Sequence, residues 1–241
     1  MNWVNRIRLM QVSKIAIVVC VILSTVLAGF TIYGEKVGSF VIETVEETPN
    51  ISIALSEYED LSNQTDRLAV KGLEDQRDTT FYDIPYDISR GIGAKTDTDF
   101  RRYIAHSFYV INNSTIAVDL FINMSITAIE KDVDSAVRVE VIYGDDYQGS
   151  IYAKWQEEKD SEGVWVDKLN NGERVAEVDP DAGETVMFLS DSLVFQDTIN
   201  ELKAGDALKI TIVVWLEGWD EQCVDDIYGG AIRMVMNIKA Y

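Results

Sequence analysis

Residues 118–128 have the sequence VDLFINMSITA, and this stretch decides the fold class because apolar and polar side chains alternate along it. Alternation with a period of two is typical of a β-strand that buries one face and exposes the other. Residues 137–141, 208–214 and 232–238 repeat the pattern. The face of the first stretch that we expect to be buried consists of Val118, Leu120, Ile122, Met124, Ile126 and Ala128.

Shorter strand patterns fill most of the chain around these four stretches, and turn-forming residues separate them, as at residues 144–146 and 170–172. About ten short strands at this spacing predict an all-β fold, a β-sandwich of the jelly-roll or Greek-key type. Short helical pieces are expected at residues 57–72 and 197–203, and residues 43–78 are the least patterned and most loop-rich part. The weaker strands are expected at residues 37–44, 51–57, 79–82, 104–110, 150–155, 164–167, 174–178 and 184–189.

Charge is distributed unevenly between residues 1–34 and the rest of the chain. The first 34 residues contain three basic side chains and no acidic one, whereas the whole chain carries 41 acidic against 21 basic side chains, a formal charge of −20. Residues 15–34 contain no charged side chain, and a helix of about twenty residues spans about 30 Å, the thickness of the hydrocarbon core of a bilayer. The bases before this segment and Glu35 after it favour a cytoplasmic N-terminus and an exported acidic body.

Two interpretations of residues 15–34 remain open. In the first, the segment is a signal anchor that stays in the membrane, so that residues 1–34 form a basic cytoplasmic tip with a single transmembrane helix and residues 35–241 form one extracellular domain. In the second, it is a signal peptide cleaved after Ala28, and the body is secreted. Cys20 is interpreted as a small apolar residue of this helix.

The composition excludes several classes of function. An acidic body is not expected to bind nucleic acid, because phosphate recognition needs clustered Lys and Arg. Two Cys and one His are too few for most zinc cages. The single His106 lies within a strand pattern and is interpreted as structural, and the sequence has no Gly-x-Ser-x-Gly nucleophile motif. We therefore expect no enzymatic activity, with a surface hydrolase as the weaker alternative. Cys223 is either a buried free thiol or an intermolecular bridge.

Two acidic clusters are candidates for a calcium site, the one cofactor that the sequence suggests. The first surrounds Gly183 and places oxygen ligands at the alternate spacing that hard cations favour, although it lacks the full EF-hand loop. The second follows the strand pattern at residues 208–214. Solvated acidic loops are the alternative interpretation of both clusters. The predicted ligands are Asp179, Asp181 and Glu184 in the first cluster, and Glu217, Asp220, Asp225 and Asp226 in the second.

The tryptophans of the exported part also have two interpretations. On an antiparallel sandwich, they would pack in the core or against the face of a sheet. If they are exposed beside the acidic loops, they would instead line a cleft that binds a carbohydrate. The residues concerned are Trp155, Trp165, Trp215 and Trp219.

Three blocks of sequence resemble known exported proteins. They are residues 33–42 (YGEKVGSFVI), residues 108–113 (FYVINN) with 135–139 (SAVRV), and residues 213–220 (VVWLEGWD) with the Cys223, Asp225 and Asp226 that follow. Over most of its length the chain resembles the uncharacterised exported β-sandwich proteins of Gram-positive bacteria. In its layout of an N-terminal signal before a jelly-roll domain, it distantly resembles the TasA/camelysin group of matrix proteins. The resemblance implies a surface location and a β-sandwich and, by extension, fibre formation in a biofilm matrix.

Residues 38–44 are apolar and β-prone, and they lie just after the predicted membrane segment. They would either complete their own sheet or pair with the edge of a neighbouring copy by strand addition. The sequence therefore predicts a membrane-anchored structural or interaction protein of the cell surface, with matrix or fibre assembly by strand addition as one form of that role. The alternative is a calcium-assisted carbohydrate-binding or adhesin module. The expected partners are the membrane, further copies of the chain, and surface proteins or glycans.

Overall fold

The structure, a computed structural model, describes residues 39–45, 51–72, 75–180 and 182–241, and of Glu184 it describes the backbone alone. The predicted membrane or signal segment, including Cys20, lies outside these residues. Within the described ranges there is no helix long and apolar enough to cross a bilayer. The described residues belong to one compact unit.

Strands dominate the described ranges, which also contain two short 3-10 helices, at Phe81–Asp83 and Val133–Ser135. In chain order, the strands are β1 (Ser39–Val45), β2 (Ile53–Ser56), β3 (Arg67–Lys71), β4 (Asp78–Thr79), β5 (Gly93–Ala94), β6 (Tyr103–Asn112), β7 (Val118–Glu130), β8 (Val137–Tyr143), β9 (Ser150–Ala153), β10 (Glu157–Lys159), β11 (Trp165–Asp167), β12 (Leu169–Asn170), β13 (Glu173–Arg174), β14 (Val178–Asp179), β15 (Gly183–Glu184), β16 (Val186–Met187), β17 (Leu193–Leu202), β18 (Ala207–Glu217) and β19 (Ala231–Ala240).

Two larger sheets organise the fold. The first sheet has the order β17-β7-β19-β1-β3, and the second has the order β16-β9-β8-β18-β6-β2, with β4 added beside β18 and β5 beside β6. Three two-stranded ribbons, β10-β11, β12-β13 and β14-β15, are also present in the described part. Most pairs are antiparallel, but β1 runs parallel to β19, β16 to β9 and β4 to β18.

One hydrophobic core contains side chains from both larger sheets. Ile42 and Met124 belong to the first sheet, Val139 and Ile212 belong to the second, and each of the four is fully buried. The prediction of an all-β fold is therefore confirmed, and two sheets that share a core are consistent with a β-sandwich.

The prediction of short helices at residues 57–72 and 197–203 is wrong. Residues 197–203 fall largely in β17, where Thr198 lies opposite Phe121 and Ile199 opposite Leu120. Pairing with the long strand β7 outweighs the weak helical pattern of this segment, because local propensity is readily overridden by tertiary context. Residues 57–72 contain β3 and no helix. The described part of residues 43–78, expected to be loop-rich, also holds β2 and the start of β4.

In the second sheet, the face of β8 that the sequence pattern predicts to be in water is buried. Alternation predicts that each strand exposes one face, and β7 and β19 follow this rule. In β8, however, the polar residues Arg138 and Glu140 are only 1% and 2% exposed. The cause is a second apolar cluster, in which Ile84 and Ile88 pack with Trp215 over the outer face of the sheet. Charged side chains of β8 are therefore buried beneath loops.

The first described strand lies inside its own sheet. β1 pairs in parallel with β19 on one side and antiparallel with β3 on the other. Phe40 and Ile42 are 1% and 0% exposed in the core. Donation of residues 38–44 to another copy remains a prediction, and it would require this strand to leave both neighbours.

We expect Ile42→Ala to lower the free energy of unfolding by about 2–5 kcal/mol, because it removes buried methylene groups and leaves a cavity. Ile116→Ala is the matched control: Ile116 is 57% exposed, so its truncation should cost less than about 0.5 kcal/mol. Urea unfolding of the full chain in detergent measures both. Equal effects of the two variants would show that β1 does not occupy this position in solution.

Candidate functional site

Asp220, one of the acidic residues predicted as ligands, forms a buried ion pair with Arg138 on the outer face of the second sheet, and two others, Asp179 and Glu217, contact each other. Arg138 lies on β8, and its Nη2 donates a hydrogen bond to Asp220 Oδ2 at 2.9 Å. Both side chains are 2% exposed. The other carboxylate oxygen of Asp220 accepts the backbone N–H of Gln222 at 2.9 Å. A buried charge is tolerated only when it is paired and hydrogen-bonded, and Asp220 meets both conditions.

The other two acids share a hydrogen bond. Glu217, at the end of β18, is fully buried, and its carboxyl accepts the Trp215 Nε1–H at 2.9 Å and the Trp219 backbone N–H at 3.2 Å. Burial, and then the hydrogen bond to Asp179, raises the pKa of Glu217 to about 8. Two carboxyl groups in contact hold one proton between them. The backbone N–H of Ala182 also donates to Asp179, at 3.0 Å.

A further acid, Glu177, stands at the border of this cluster and is half-buried. Burial, and then the negative charge of Asp220, raises the pKa of Glu177, while the charge of Arg138 opposes the shift. The group thus combines the buried Arg138–Asp220 ion pair with Glu177 and Glu217, two acids whose pKa values are raised. We call Arg138, Glu177, Asp179, Glu217 and Asp220 the arginine cluster.

Two polar clefts lie beside the arginine cluster. The Trp219 cleft has a volume of about 270 Å³, and its lining includes Trp219, Asp220 and Glu177. The Trp165 cleft has a volume of about 480 Å³, and its lining includes Trp165 and Lys154. The clefts adjoin, because the two residues Glu157 and Gln222 line both of them.

The wall between the clefts is held in place by polar contacts. The Gln222 side chain donates a short hydrogen bond to the Glu157 carboxylate. Lys154 Nζ lies 3.4 Å from Glu157 and 3.3 Å from Asp134. Because Asp220 fixes the backbone of Gln222, the buried ion pair and the wall of the clefts are connected through one residue.

The tryptophans divide between the two interpretations given by the sequence. Trp155 and Trp215 are buried, at 2% and 0% exposure, whereas Trp219 is 62% exposed. Trp165 is partly exposed, and Lys159 Nζ lies 4.9 Å from the centre of its ring. The two accessible indole rings each line one cleft.

The predicted calcium ligands have several different environments. Asp179, Glu217 and Asp220 lie in the arginine cluster, while Asp225 and Asp226 are exposed, and Asp226 lines the Trp165 cleft. Asp181 and the side chain of Glu184 lie outside the described residues. Within the described part of the chain, no three or more His, Cys, Asp or Glu side chains are arranged so that they could hold a metal ion together. The calcium site therefore stays a prediction.

Sequence reasoning missed Arg138 and Glu177, and also the pair Glu157 and Gln222. One signal for Arg138 was present, namely a charged residue inside the apolar run at residues 137–141. That run was interpreted as a strand with one face in water. The positions of the other three depend on loops that the sequence does not pair with one another.

His106 and Cys223 are the two groups that the sequence offered for nucleophilic chemistry. His106 is 3% exposed, with Nε2 2.6 Å from Glu57 Oε1, and burial lowers the pKa of His106. Burial raises the pKa of the Cys223 thiol to about 11, and Cys223 forms no disulfide in the described part. The Cys223 thiol is therefore protonated at neutral pH, which is the unreactive form of a cysteine.

Comparison with known proteins gives no assignment. No family model matches the chain, and no curated protein matches it significantly. One of the solved structures that match is described as AvmM, which catalyzes macrocyclization in alchivemycin A biosynthesis. It is 8% identical, covers 80% of this chain and 87% of its own, and has a TM-score of 0.24. A likeness this low carries no argument, and the resemblance to the TasA/camelysin group stays a prediction.

We expect the shared proton of Asp179 and Glu217 to make stability depend on pH. Glu217 has an ordinary pKa of 4.5 and one of about 8 in the folded protein, so the folded state binds more protons between these values. The free energy of unfolding should therefore fall as pH rises from about 5 to about 8, by a few kcal/mol.

The variant Asp179→Asn tests this directly. Its amide can donate to an ionised Glu217 while its oxygen still accepts the Ala182 N–H, so no shared proton is needed. Urea unfolding at pH 6 and at pH 9 should show a much smaller loss of stability in the variant than in the wild type. An identical pH dependence in both proteins would contradict the shared proton.

Proposed function

We propose that this chain is a membrane-anchored interaction protein of the cell surface whose all-β domain binds a neutral polysaccharide along the Trp219 and Trp165 clefts. The observation that carries the proposal is the pairing of accessible indole rings with polar clefts: Trp219 and Trp165 each line one cleft, and the clefts adjoin at Glu157 and Gln222. We also propose that the sandwich has a jelly-roll or Greek-key topology.

The chemistry of the clefts suits a sugar better than an apolar ligand. An indole ring offers a flat apolar face, which matches the CH-rich face of a pyranose, together with an N–H donor. Carboxylates and amides around the ring can hydrogen-bond to hydroxyl groups and fix their orientation. Two adjoining clefts fit successive units of a chain better than a single monosaccharide.

The charges of the residues that line the clefts indicate which class of polysaccharide could bind there. Glu157, Glu158, Glu177, Asp220 and Glu221 line the Trp219 cleft, and Lys168 is its single basic lining residue. The whole chain also carries a formal charge of −20. The Trp219 cleft therefore repels anionic polymers, whereas the Trp165 cleft has both lysines and acids in its lining. Neutral polysaccharides remain the class that suits both clefts.

The location rests on the sequence. Three basic residues precede an uncharged segment of the length of a membrane span, and an acidic body follows it. This order supports a cytoplasmic N-terminus and an extracellular domain. A domain that presents binding clefts outside the membrane is suited to adhesion or to the organisation of envelope polymers.

We expect Trp219→Ala and Trp165→Ala each to weaken binding of a neutral polysaccharide at least tenfold, because each removes one stacking surface. Affinity electrophoresis of the full chain, in a polyoxyethylene detergent that has no sugar headgroup, measures the loss across a panel of neutral and anionic polysaccharides. Tyr58→Ala is the matched control, since Tyr58 is 48% exposed and lines neither cleft.

The same assay tests calcium and catalysis. Repetition with a chelator and with calcium shows whether binding is calcium-assisted. We expect no difference at the Trp219 cleft, because Asp220, one of the predicted ligands, is paired with Arg138; weaker binding in the chelator would support the predicted calcium site. Equal binding by all three variants and the wild type would contradict the cleft as the binding site. Release of new reducing ends from the polysaccharide would contradict a non-enzymatic role.

A matrix or fibre subunit is the second candidate, and β1 is the observation that favours it. This strand supplies buried side chains, among them Phe40 and Ile42, to the core. In strand addition, β1 of one copy would take the same place in another.

Cysteine cross-linking tests that exchange, since Ser39 lies opposite Lys71 in the β1–β3 pair and opposed Cα atoms in such a pair are about 4.5–5.5 Å apart. In a background without Cys20 and Cys223, copies carrying Ser39→Cys are mixed with copies carrying Lys71→Cys. Disulfide-linked heterodimers would support assembly by strand addition. Their absence, in a preparation where the double variant forms an intrachain bridge, would contradict it.

A further inference from the structure

A further concavity lies over the outer face of the second sheet, and its lining differs from that of the two clefts. It has a volume of about 450 Å³ and is bordered by residues 81–88 on one side and by β8 with the turn at Tyr147 and Gln148 on the other. This volume is within the range of small-ligand pockets, roughly 300–1,000 Å³. We call it the tyrosine pocket.

Aromatic rings form much of its wall. Tyr82 and Tyr86 are 75% and 73% exposed, and Tyr147 is 49% exposed. The rings of Tyr86 and Tyr147 stack with their centres 5.6 Å apart, and Phe81, which also lines the pocket, lies 6.4 Å from the ring of Trp215. Exposed aromatic rings gathered around one concavity cost solubility, so they indicate a surface that contacts a ligand.

A buried carboxylate lies in the same lining. Glu140 is 2% exposed, and its Oε1 accepts the backbone N–H of Gly149 at 2.9 Å. Its Oε2 has no hydrogen-bond or ion-pair partner among the described residues. Burial raises the pKa of Glu140, opposed only by the Gly149 N–H. A carboxylate taken out of water without a cation is costly, and a positively charged ligand would remove that cost.

The charges around the pocket favour a cation. Its acidic lining residues are Glu140 and Asp83, and no Lys or Arg lines it. Arg90 stands outside the lining, but its guanidinium carbon lies 5.1 Å from the centre of the Tyr147 ring, and it donates a hydrogen bond to the Tyr147 hydroxyl. This contact and the stacking of Tyr86 fix the orientation of Tyr147, and Arg90 already occupies that ring. The exposed rings of Tyr82 and Tyr86 are therefore the ones that would contact a ligand.

We propose that the tyrosine pocket binds an organic cation, an alkylammonium group, held between tyrosine faces and the Glu140 carboxylate. Ring faces attract ammonium groups within about 6 Å of the ring centre, and a desolvated cation of this kind gains more than an exposed one. Glu140, a buried lining residue, supplies the opposite charge. The site uses residues separate from those of the polysaccharide clefts, so it goes beyond the proposed function and does not depend on it.

Calorimetric titration of the full chain in polyoxyethylene detergent tests the proposal. Choline and its uncharged isostere 3,3-dimethyl-1-butanol are the matched probes, because they have the same shape and differ in charge. We expect choline to bind at least tenfold more tightly than the isostere. Nα-acetyl-lysine methylamide is the second cationic probe, and the tighter of the two cations identifies the source as a small molecule or a protein side chain.

Variants assign the binding to the pocket. Glu140→Gln keeps an acceptor for the Gly149 N–H and removes the charge, so affinity for the cation should fall at least tenfold. Tyr82→Ala and Tyr86→Ala change exposed residues that should not be needed for folding, and each should weaken binding at least threefold. Glu130→Gln, a change at an exposed acid outside the pocket lining, should leave affinity unchanged.

The proposal is overturned if neither cation binds at up to about 20 mM, a limit weaker than ordinary specific recognition. It is also overturned if the uncharged isostere binds as tightly as choline, since charge would then play no part. If Glu140→Gln does not fold, the two tyrosine variants still decide the question. Unchanged affinity in both would contradict the site.

Discussion

The buried ion pair between Arg138 and Asp220 is the contact on which the arrangement of the Trp219 and Trp165 clefts depends. Arg138 comes from the outer face of β8, and Asp220 follows the end of β18. Removal of either partner would leave an uncompensated charge out of water, which costs far more than the pair contributes. Asp220 also fixes the backbone of Gln222, whose side chain bonds to Glu157 in the wall between the clefts. A buried charge pair thus sets the position of accessible groups around Trp219.

The fold class followed from the sequence because buried residues alternate with more accessible ones along most of β7 and β19. The sequence could not show which strands are buried on both faces. β8 has the same alternation, yet residues 81–88 pack over its polar face, and nothing local in the sequence pairs those segments. The helix expected at residues 197–203 is wrong for a related reason, since its pairing with β7 is non-local.

The candidate site was predicted in part. Asp179, Glu217 and Asp220 were selected for their chemistry, and the structure brings them into one cluster although they come from two separate stretches of sequence. The partner of Asp220 was not foreseen. The sequence suggested a calcium ion, whereas in the structure Asp220 pairs with the Arg138 guanidinium. Loop positions that depend on long-range contacts, such as that of Glu157, carry no local signal. Acidic residues are abundant in this chain, so composition alone could not single out those that meet.

A double-mutant cycle of Arg138→Met and Asp220→Asn tests the central claim most directly, because both changes keep the size of the side chain and Asn keeps an acceptor for the Gln222 N–H. Urea unfolding of the wild type, the two single variants and the double variant gives the coupling energy. We predict that each single change costs about 3–5 kcal/mol and that the double change costs at least about 2 kcal/mol less than the sum. Additive effects would show that the pair does not hold the clefts together.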